Sequence, residues 1–373
     1  MVRFLHSSDW QLGMTRHFLG SDAQARYGAA RVEAIETLGR IAREEGAAFV
    51  VVAGDVFETN LVGREVVTRA LDAMRDAGVP FYLLPGNHDP LAPGSVWESE
   101  RFLGRKPGNV HVLGPESVEA APGTWLAGVP WRSKQAPGRE EVRAAAAALG
   151  ARAGERVLVL HGQVERGPEA AVTLERAWIE AALGEQGIGY VALGDRHSAT
   201  DIGCGGRAWY SGTPEQTDYD ELEPGKVLVV DLDGGGCAVR AVPVGRWRFV
   251  ERALEISSSE ELRAALEELD RLPERRRTIL RLRIRGMGGP ELLGAIEAAV
   301  EELKASFAAV EPWERYREFV VRANGESIAS LGLTGYAAAA AEELDALAQG
   351  GGPDAEAASE ALALLYRLAR GSA

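Results

Sequence analysis

Short apolar runs alternate with stretches of helical periodicity over the first two thirds of the chain. Phe4 and Leu5 mark an apolar strand ahead of Asp9, and Val32, Ile35, Leu38 and Ile41 follow at helical spacing. Residues 49–53 are apolar throughout, rich in β-branched side chains and closed by Gly54, which predicts a strand buried on both faces. Val66, Val67, Leu71 and Met74 predict a second helix, and residues 81–84 another strand. Further strands are expected at 157–160, 191–193 and 227–230. Such alternation predicts a layered α/β domain.

Past Gly234, Gly235 and Gly236 the pattern changes. A helix is expected over 260–269. Leu280, Leu282 and Ile284 then alternate with Arg281, Arg283 and Arg285, as in a strand with one wet face. A helix over 290–306 and a strand at 319–321 complete a small α+β cap. Residues 349–353 read as a flexible break, after which Leu362, Leu365 and Leu368 predict a short amphipathic helix. The expected division is 1–245, 246–348 and 349–373.

Composition narrows the class. The 373 residues are 46% hydrophobic and 26% charged, ample for a folded core. No apolar run approaches a membrane span, and the run from Met1 to Asp9 leaves no room for a signal peptide. Cys204 and Cys237 stand far apart with no metal-ligand spacing, so two reduced thiols and a cytoplasmic location are expected. A net charge of −14 argues against broad wrapping of nucleic acid, while leaving room for a local basic groove or a basic partner.

The polar residues fall where an α/β sheet places its ligands. Asp9, Asp55, Asn87, His161 and Asp195 each follow the apolar part of an expected strand, at the edge where loops converge. They lie in Ser8-Asp9-Trp10-Gln11-Leu12-Gly13, Gly54-Asp55-Val56-Phe57, Gly86-Asn87-His88-Asp89, His161-Gly162 and Gly194-Asp195-Arg196-His197. Two divalent ions about 3.5–4 Å apart need a bridging carboxylate with mixed oxygen and imidazole donors, and these residues supply that list.

The order and spacing of these motifs resemble calcineurin-like metallophosphoesterases, and within them the SbcD-type DNA repair nucleases. Leu5-His6-Ser7-Ser8-Asp9-Trp10, Gly128-Val129-Pro130-Trp131 and Tyr210-Ser211-Gly212-Thr213-Pro214 support it, over about the first 220 residues. The resemblance implies a β-sandwich flanked by helices, and a two-metal site bridged by Asp55. Asp9, Gln11 and His197 would complete one metal's ligands, and Asn87, His161 and Asp195 the other's. His88 matches the residue that contacts the scissile phosphate and assists the leaving group, work that suits an imidazole near neutral pH.

Gln11 and Asp195 depart from the family pattern, which commonly has His at both positions. An amide oxygen is a weaker donor than imidazole, and Asp adds a negative charge. Three carboxylates against four positive charges leave plus one, where the usual pattern leaves plus two. That favours hard, oxygen-preferring ions, manganese or magnesium. The alternative is a decayed, inactive site.

Other residues carry weaker signals. His6 lies inside the first strand and His111 in another apolar run, both expected to be structural. His17 could reach substrate, or be a solvated loop residue. Arg281, Arg283 and Arg285 share a strand face that could track a phosphate backbone, or be paired to nearby Glu residues. The resemblance implies a manganese-dependent nuclease acting on DNA ends, working as a homodimer with an SbcC-type coiled-coil ATPase. Val67, Leu71 and Met74 would offer a dimer surface, unless they pack on the sheet; the helix at Leu362 to Leu368 would dock the ATPase, unless it folds onto the cap. A nucleotide phosphodiesterase and a non-catalytic scaffold for the ATPase are the competing functions.

Overall fold

The computed structural model describes residues 1–164, 173–312, 319–321, 333–350 and 352–370. The chain forms two compact units, Met1–His17 with Gln24–Trp247, and Phe18–Ala23 with Arg248–Ala373.

The first unit begins with strand β1 (Val2–Ser7), helix α1 (Ser21–Glu45, which starts in the second unit), β2 (Val50–Val52), α2 (Arg64–Ala77) and β3 (Phe81–Leu83). There follow α3 (Glu100–Leu103), β4 (Val110–Val112), β5 (Val118–Ala121), β6 (Thr124–Gly128), α4 (Arg139–Gly150) and β7 (Glu155–His161). Helix α5 (Arg176–Glu185), β8 (Tyr190–Gly194), β9 (Thr200–Asp201), β10 (Ala208–Tyr210), β11 (Lys226–Asp233) and β12 (Gly236–Pro243) complete it.

Two six-stranded sheets result, β12-β11-β1-β2-β3-β4 and β5-β6-β7-β8-β10-β9. In the first, β1 through β4 run parallel while β11 and β12 add antiparallel strands at one side. The expected break at Gly234–Gly236 is the turn of the β11–β12 hairpin.

Period-two alternation sorts the side chains of these strands into separate cores. Val50 and Val52 join Leu38, Leu71 and Met74 on the helix-covered face, while Phe49, Val51 and Ala53 join Phe4, Val157, Val159 and Tyr190 between the sheets. The second sheet buries Leu158, Leu160 and Val191 against Val142, Ile179 and Leu183 of its own helices. The order is helix, sheet, sheet, helix, as the resemblance implies. Val67, Leu71 and Met74 are fully buried in this packing, so they are core residues of α2 and offer no dimer surface.

His6 lies between the sheets, with Nδ1 3.0 Å from the Tyr190 hydroxyl and Nε2 3.2 Å from the Leu193 carbonyl. Nε2–H therefore donates to Leu193 and Nδ1 accepts from Tyr190. Burial lowers its pKa from 6.5 to about 3. A folded pKa below the unfolded one gives stability that is full above pH 6.5 and is lost as pH falls toward 3. The stability difference between wild type and His6→Gln should thus fall by about 1.4 kcal/mol per pH unit below 6.5. Urea denaturation at several pH values checks this, and a pH-independent difference contradicts it.

The second unit contains β13 (Arg248–Glu255), α6 (Ser259–Asp270), β14 (Thr278–Gly288), α7 (Pro290–Ser306), β15 (Ala309–Pro312), β16 (Phe319–Val321), α8 (Tyr336–Gln349) and α9 (Ala355–Arg370). Strand β14 pairs in parallel with β13, β15 and β16. Leu280, Leu282 and Ile284 are buried with Ile296 and Leu303 of α7. On α9, Leu362 and Leu365 pack with Ala341 and Leu344 of α8, so this part of the helix folds onto its own unit.

Candidate metal centre

The parallel strands deliver the polar residues to one edge. Asp9 follows β1, Asp55 follows β2, Asn87 lies beyond β3, His161 ends β7 and Asp195 follows β8. The first two loops are laced by backbone bonds from Asp9 N to Gly54 O (3.0 Å) and from Gln11 N to Asp55 O (2.9 Å). Gly54 has φ +97°, and a Cβ there would overlap the His161 ring, so this approach requires glycine.

Asp9, Asp55 and His161 are buried, and one donor atom from each lies within 4.8 Å of the others. Around His161 Nε2 stand Asn87 Oδ1 at 2.7 Å, Asp55 Oδ2 at 3.4 Å and Asp195 Oδ1 at 3.6 Å. Around His197 Nε2 stand Gln11 Nε2 at 3.3 Å and Asp9 Oδ1 at 3.9 Å. Donors bound to one cation at about 2.0–2.2 Å sit about 3.0–3.6 Å from one another, close to these separations. The backbone N–H of Asp195 donates to both Asp9 carboxylate oxygens at 3.1 Å, joining the two groups.

The donors fit divalent ions on the structure's own terms. Gln11 Oε1 is buried without a hydrogen-bond partner, a costly condition for an amide oxygen. A half-turn of the amide brings that oxygen to the nitrogen's place beside His197, where it can serve a cation. Asp9, Gln11, Asp55 and Asp195 all have positive φ, at 54°, 42°, 52° and 96°. Non-glycine residues rarely adopt that region, and such strain gathers at functional sites. Asp9, Gln11, Asp55, Asn87, His161, Asp195 and His197 would hold the ions, and bound ions would clamp the oxygens of an in-line displacement at phosphorus.

Several residues that sequence reasoning overlooked orient these ligands. His161 Nδ1 donates to Ala53 O at 2.8 Å, leaving Nε2 for the cation. His197 Nδ1 is held by Thr217 Oγ1 at 2.7 Å and by Glu221 Oε1 at 2.9 Å, the carboxylate–histidine support common at metal centres. Glu221 lies in an acidic loop that reads as solvated, yet its side chain is only 4% exposed. Thr213 Oγ1 donates to Asp9 O, Trp131 Nε1 to His161 O, and Tyr210 Oη to Gly162 O. The supporting strings of the sequence thus brace the ligand loops.

His88 stands beside the site. Its backbone N–H donates to Asp55 Oδ1 at 2.9 Å and its Nδ1–H to the Glu58 carbonyl at 3.1 Å. Asp89 is buried and accepts from Gly86 N and Phe57 N, fixing the loop. His17 is exposed in the same unit. Arg281, Arg283 and Arg285 belong to the second unit, where Arg281 meets Glu311 at 3.4 Å and Arg283 meets Glu251 at 3.8 Å.

Electrostatics shows what a cation would replace. Burial lowers the pKa of His161, but Asp55 and Asp9 outweigh it and hold the ring well above 6.5. His197 is likewise pushed down by burial, and its Glu221 hydrogen bond and Asp9 lift it to about 9. His197 therefore carries a second proton at pH 7.5 without metal. Metal ligation needs neutral imidazole, so binding should release at least one proton. The calorimetric enthalpy should follow buffer ionisation enthalpy with a slope of about one or more, and apparent affinity should rise with pH toward 9. A slope near zero would contradict this.

A buried mixed oxygen and imidazole cluster thus stands at the loop edge of a four-layered α/β/β/α unit, an arrangement that could hold divalent metal. Residues 2–181, just under half of the chain, match the family described as Calcineurin-like phosphoesterase. That segment holds Asp9, Gln11, Asp55, Asn87, His88 and His161, while Asp195 and His197 lie beyond it. The structure is similar to TT1561 of Thermus thermophilus, at 13% identity and TM-score 0.41, over 64% of this chain and 98% of that one. It is also similar to a dimetal phosphatase from Danio rerio, LOC 393393, at 13% identity and TM-score 0.44, over 64% and 95%. No curated protein matches the chain. Among the described residues, no helix is long and apolar enough to cross a membrane.

Proposed function

We propose that this protein is the nuclease subunit of a cytoplasmic DNA repair complex, hydrolysing phosphodiester bonds at DNA ends with two manganese ions. It acts as a homodimer and with an SbcC-type coiled-coil ATPase, magnesium being the alternative ion. The observation that carries the chemistry is the convergence of five side chains, Asn87, Asp55, Asp195, Gln11 and Asp9, on His161 Nε2 and His197 Nε2, with the His88 amide on Asp55. What supports DNA as substrate is the resemblance of the motif strings to SbcD-type nucleases.

The test compares manganese-dependent hydrolysis of duplex ends, single strands and a chromogenic phosphodiester, in wild type and an Asn87→Ala variant. Activity on duplex ends that the variant abolishes is the expected result. Hydrolysis confined to the small diester would assign a nucleotide phosphodiesterase. No metal uptake and no hydrolysis of any substrate would assign the scaffold role.

A further inference from the structure

A cavity of about 420 Å³ lies away from the metal ligands, lined by Arg64 at the start of α2, Glu100 and Arg101 of α3, and Gly104 and Arg105 beyond it. Three arginines and one glutamate line it, Arg64, Glu100 and Arg105 exposed to solvent and Arg101 partly buried, in a chain whose net charge is −14.

The three arginines are unequally engaged. Arg101 donates through Nη1 to Val62 O at 2.8 Å and through Nη2 to Asn60 O at 2.9 Å, but its Nε is buried without an acceptor. Among the described residues, the guanidinium groups of Arg64 and Arg105 make no hydrogen bond and no ion pair, even with Glu100. The buried Nε of Arg101, beside two solvent-exposed guanidiniums that make no bond to the protein, is a donor set that fits a tetrahedral oxyanion. The volume lies within the range of small-ligand sites, large enough for a nucleotide and not merely a water cluster.

We propose that this cavity is a second anion site, binding the phosphate group of a nucleotide. That identity rests on the phosphoesterase reading, because a diesterase acting on nucleic acid meets such phosphates both in the strand and in the product it releases. The site is also tied to the catalytic loops. Arg101 holds the carbonyl of Asn60, Asn60 Nδ2 donates to Pro90 O, and Glu58 O in the same segment accepts from His88 Nδ1. Arg64 and Arg105 bear no such structural duty, so they can be replaced without loosening that segment.

The experiment titrates metal-free full-length protein, held in chelator, with inorganic phosphate, deoxyadenosine 5′-monophosphate and a short oligothymidylate. Binding is followed by calorimetry in wild type and in the double variant Arg64→Gln, Arg105→Gln. The control Arg69→Gln removes a charge from α2 outside the cavity, where it pairs with Glu65. The double variant should bind phosphate and the mononucleotide about tenfold or more weakly, while the control binds as wild type does. A matching loss with the oligonucleotide, and a shallower salt dependence, would assign a strand phosphate. A loss confined to the mononucleotide would assign the released product. Equal affinities in wild type and double variant, or an equal loss in the control, would overturn the proposal. Hydrolysis is measured separately with manganese, so an inactive wild type would reject the phosphoesterase reading without touching the binding result.

Discussion

Asp9→Asn is expected to reduce metal-dependent hydrolysis to background while making the metal-free protein more stable at pH 8. Asp9 is fully buried, and burial raises its pKa from 3.8 to about 6, although His197 and His161 pull it down. A folded pKa above the unfolded one favours the folded state only while the group is protonated. Stability is therefore full below pH 3.8 and lost as pH rises through about 6. At pH 8 the whole penalty is present, and the neutral amide escapes it. The gain should be about 1–3 kcal/mol, since His161 and His197 then lose a counter-charge. The Asn oxygen still accepts from Asp195 N, and Ser8 Oγ can turn to Ser211.

Metal addition should reverse the order. Wild type gains stability in proportion to RT ln(1 + [L]/Kd), and the variant gains far less. Thermal unfolding with chelator and then with manganese reads both effects. A variant less stable than wild type in chelator, or equally stabilised by manganese, would refute the reading of Asp9 as a buried ligand charge. The site costs stability in the backbone too, because four ligand residues carry positive φ.

Much of the first unit is legible in the sequence because its strands are buried on both faces. Residues 49–53 have no polar member, and alternate side chains enter different cores. The helix at Pro290–Ser306 is legible from Pro at its first position and a long apolar stripe. Helices α4 and α8 escape notice because their apolar positions are mostly alanine, which gives little contrast between faces. The first turns of α1 are hidden for a related reason: Tyr27 and Arg31 are buried there, and a buried arginine does not register as core. Arg31 is accommodated by donating to Trp10 O and Tyr27 Oη.

At the metal centre the donors are legible because short glycine-bearing motifs fix them to strand ends. Their supports are not. Glu221 lies 24 residues from His197, and Glu58 O meets His88 Nδ1 across 30 residues. Neither interaction has local periodicity, so only the fold brings the partners together. Val67, Leu71 and Met74 show the converse limit, since an apolar helix face reads the same whether it meets a partner or the sheet.

His88→Asn should separate chemistry from metal binding. The ring is anchored by Nδ1–H to Glu58 O, so Nε2 is the nitrogen left to serve a substrate. The contact to Asp55 comes from the backbone of His88 and survives the substitution. Metal content and proton release should therefore match wild type. Turnover of a nucleotide diester, whose alkoxide leaves only with a proton, should fall about 10²–10⁴-fold. A nitrophenyl diester, whose leaving group is stable as an anion, should lose much less. The ratio of the two losses measures the proton that His88 delivers, which a loosened loop would not produce. Equal losses on both substrates, or a loss of bound metal, would place His88 in support of the site and outside the chemistry. Glu58 sharpens the expectation: its carboxylate oxygen Oε2 is buried without a hydrogen-bond partner, 3.9 Å from His88 Nδ1. Glu58→Gln should then lower the nucleotide rate more than the nitrophenyl rate, in the same sense as His88→Asn and by a smaller factor.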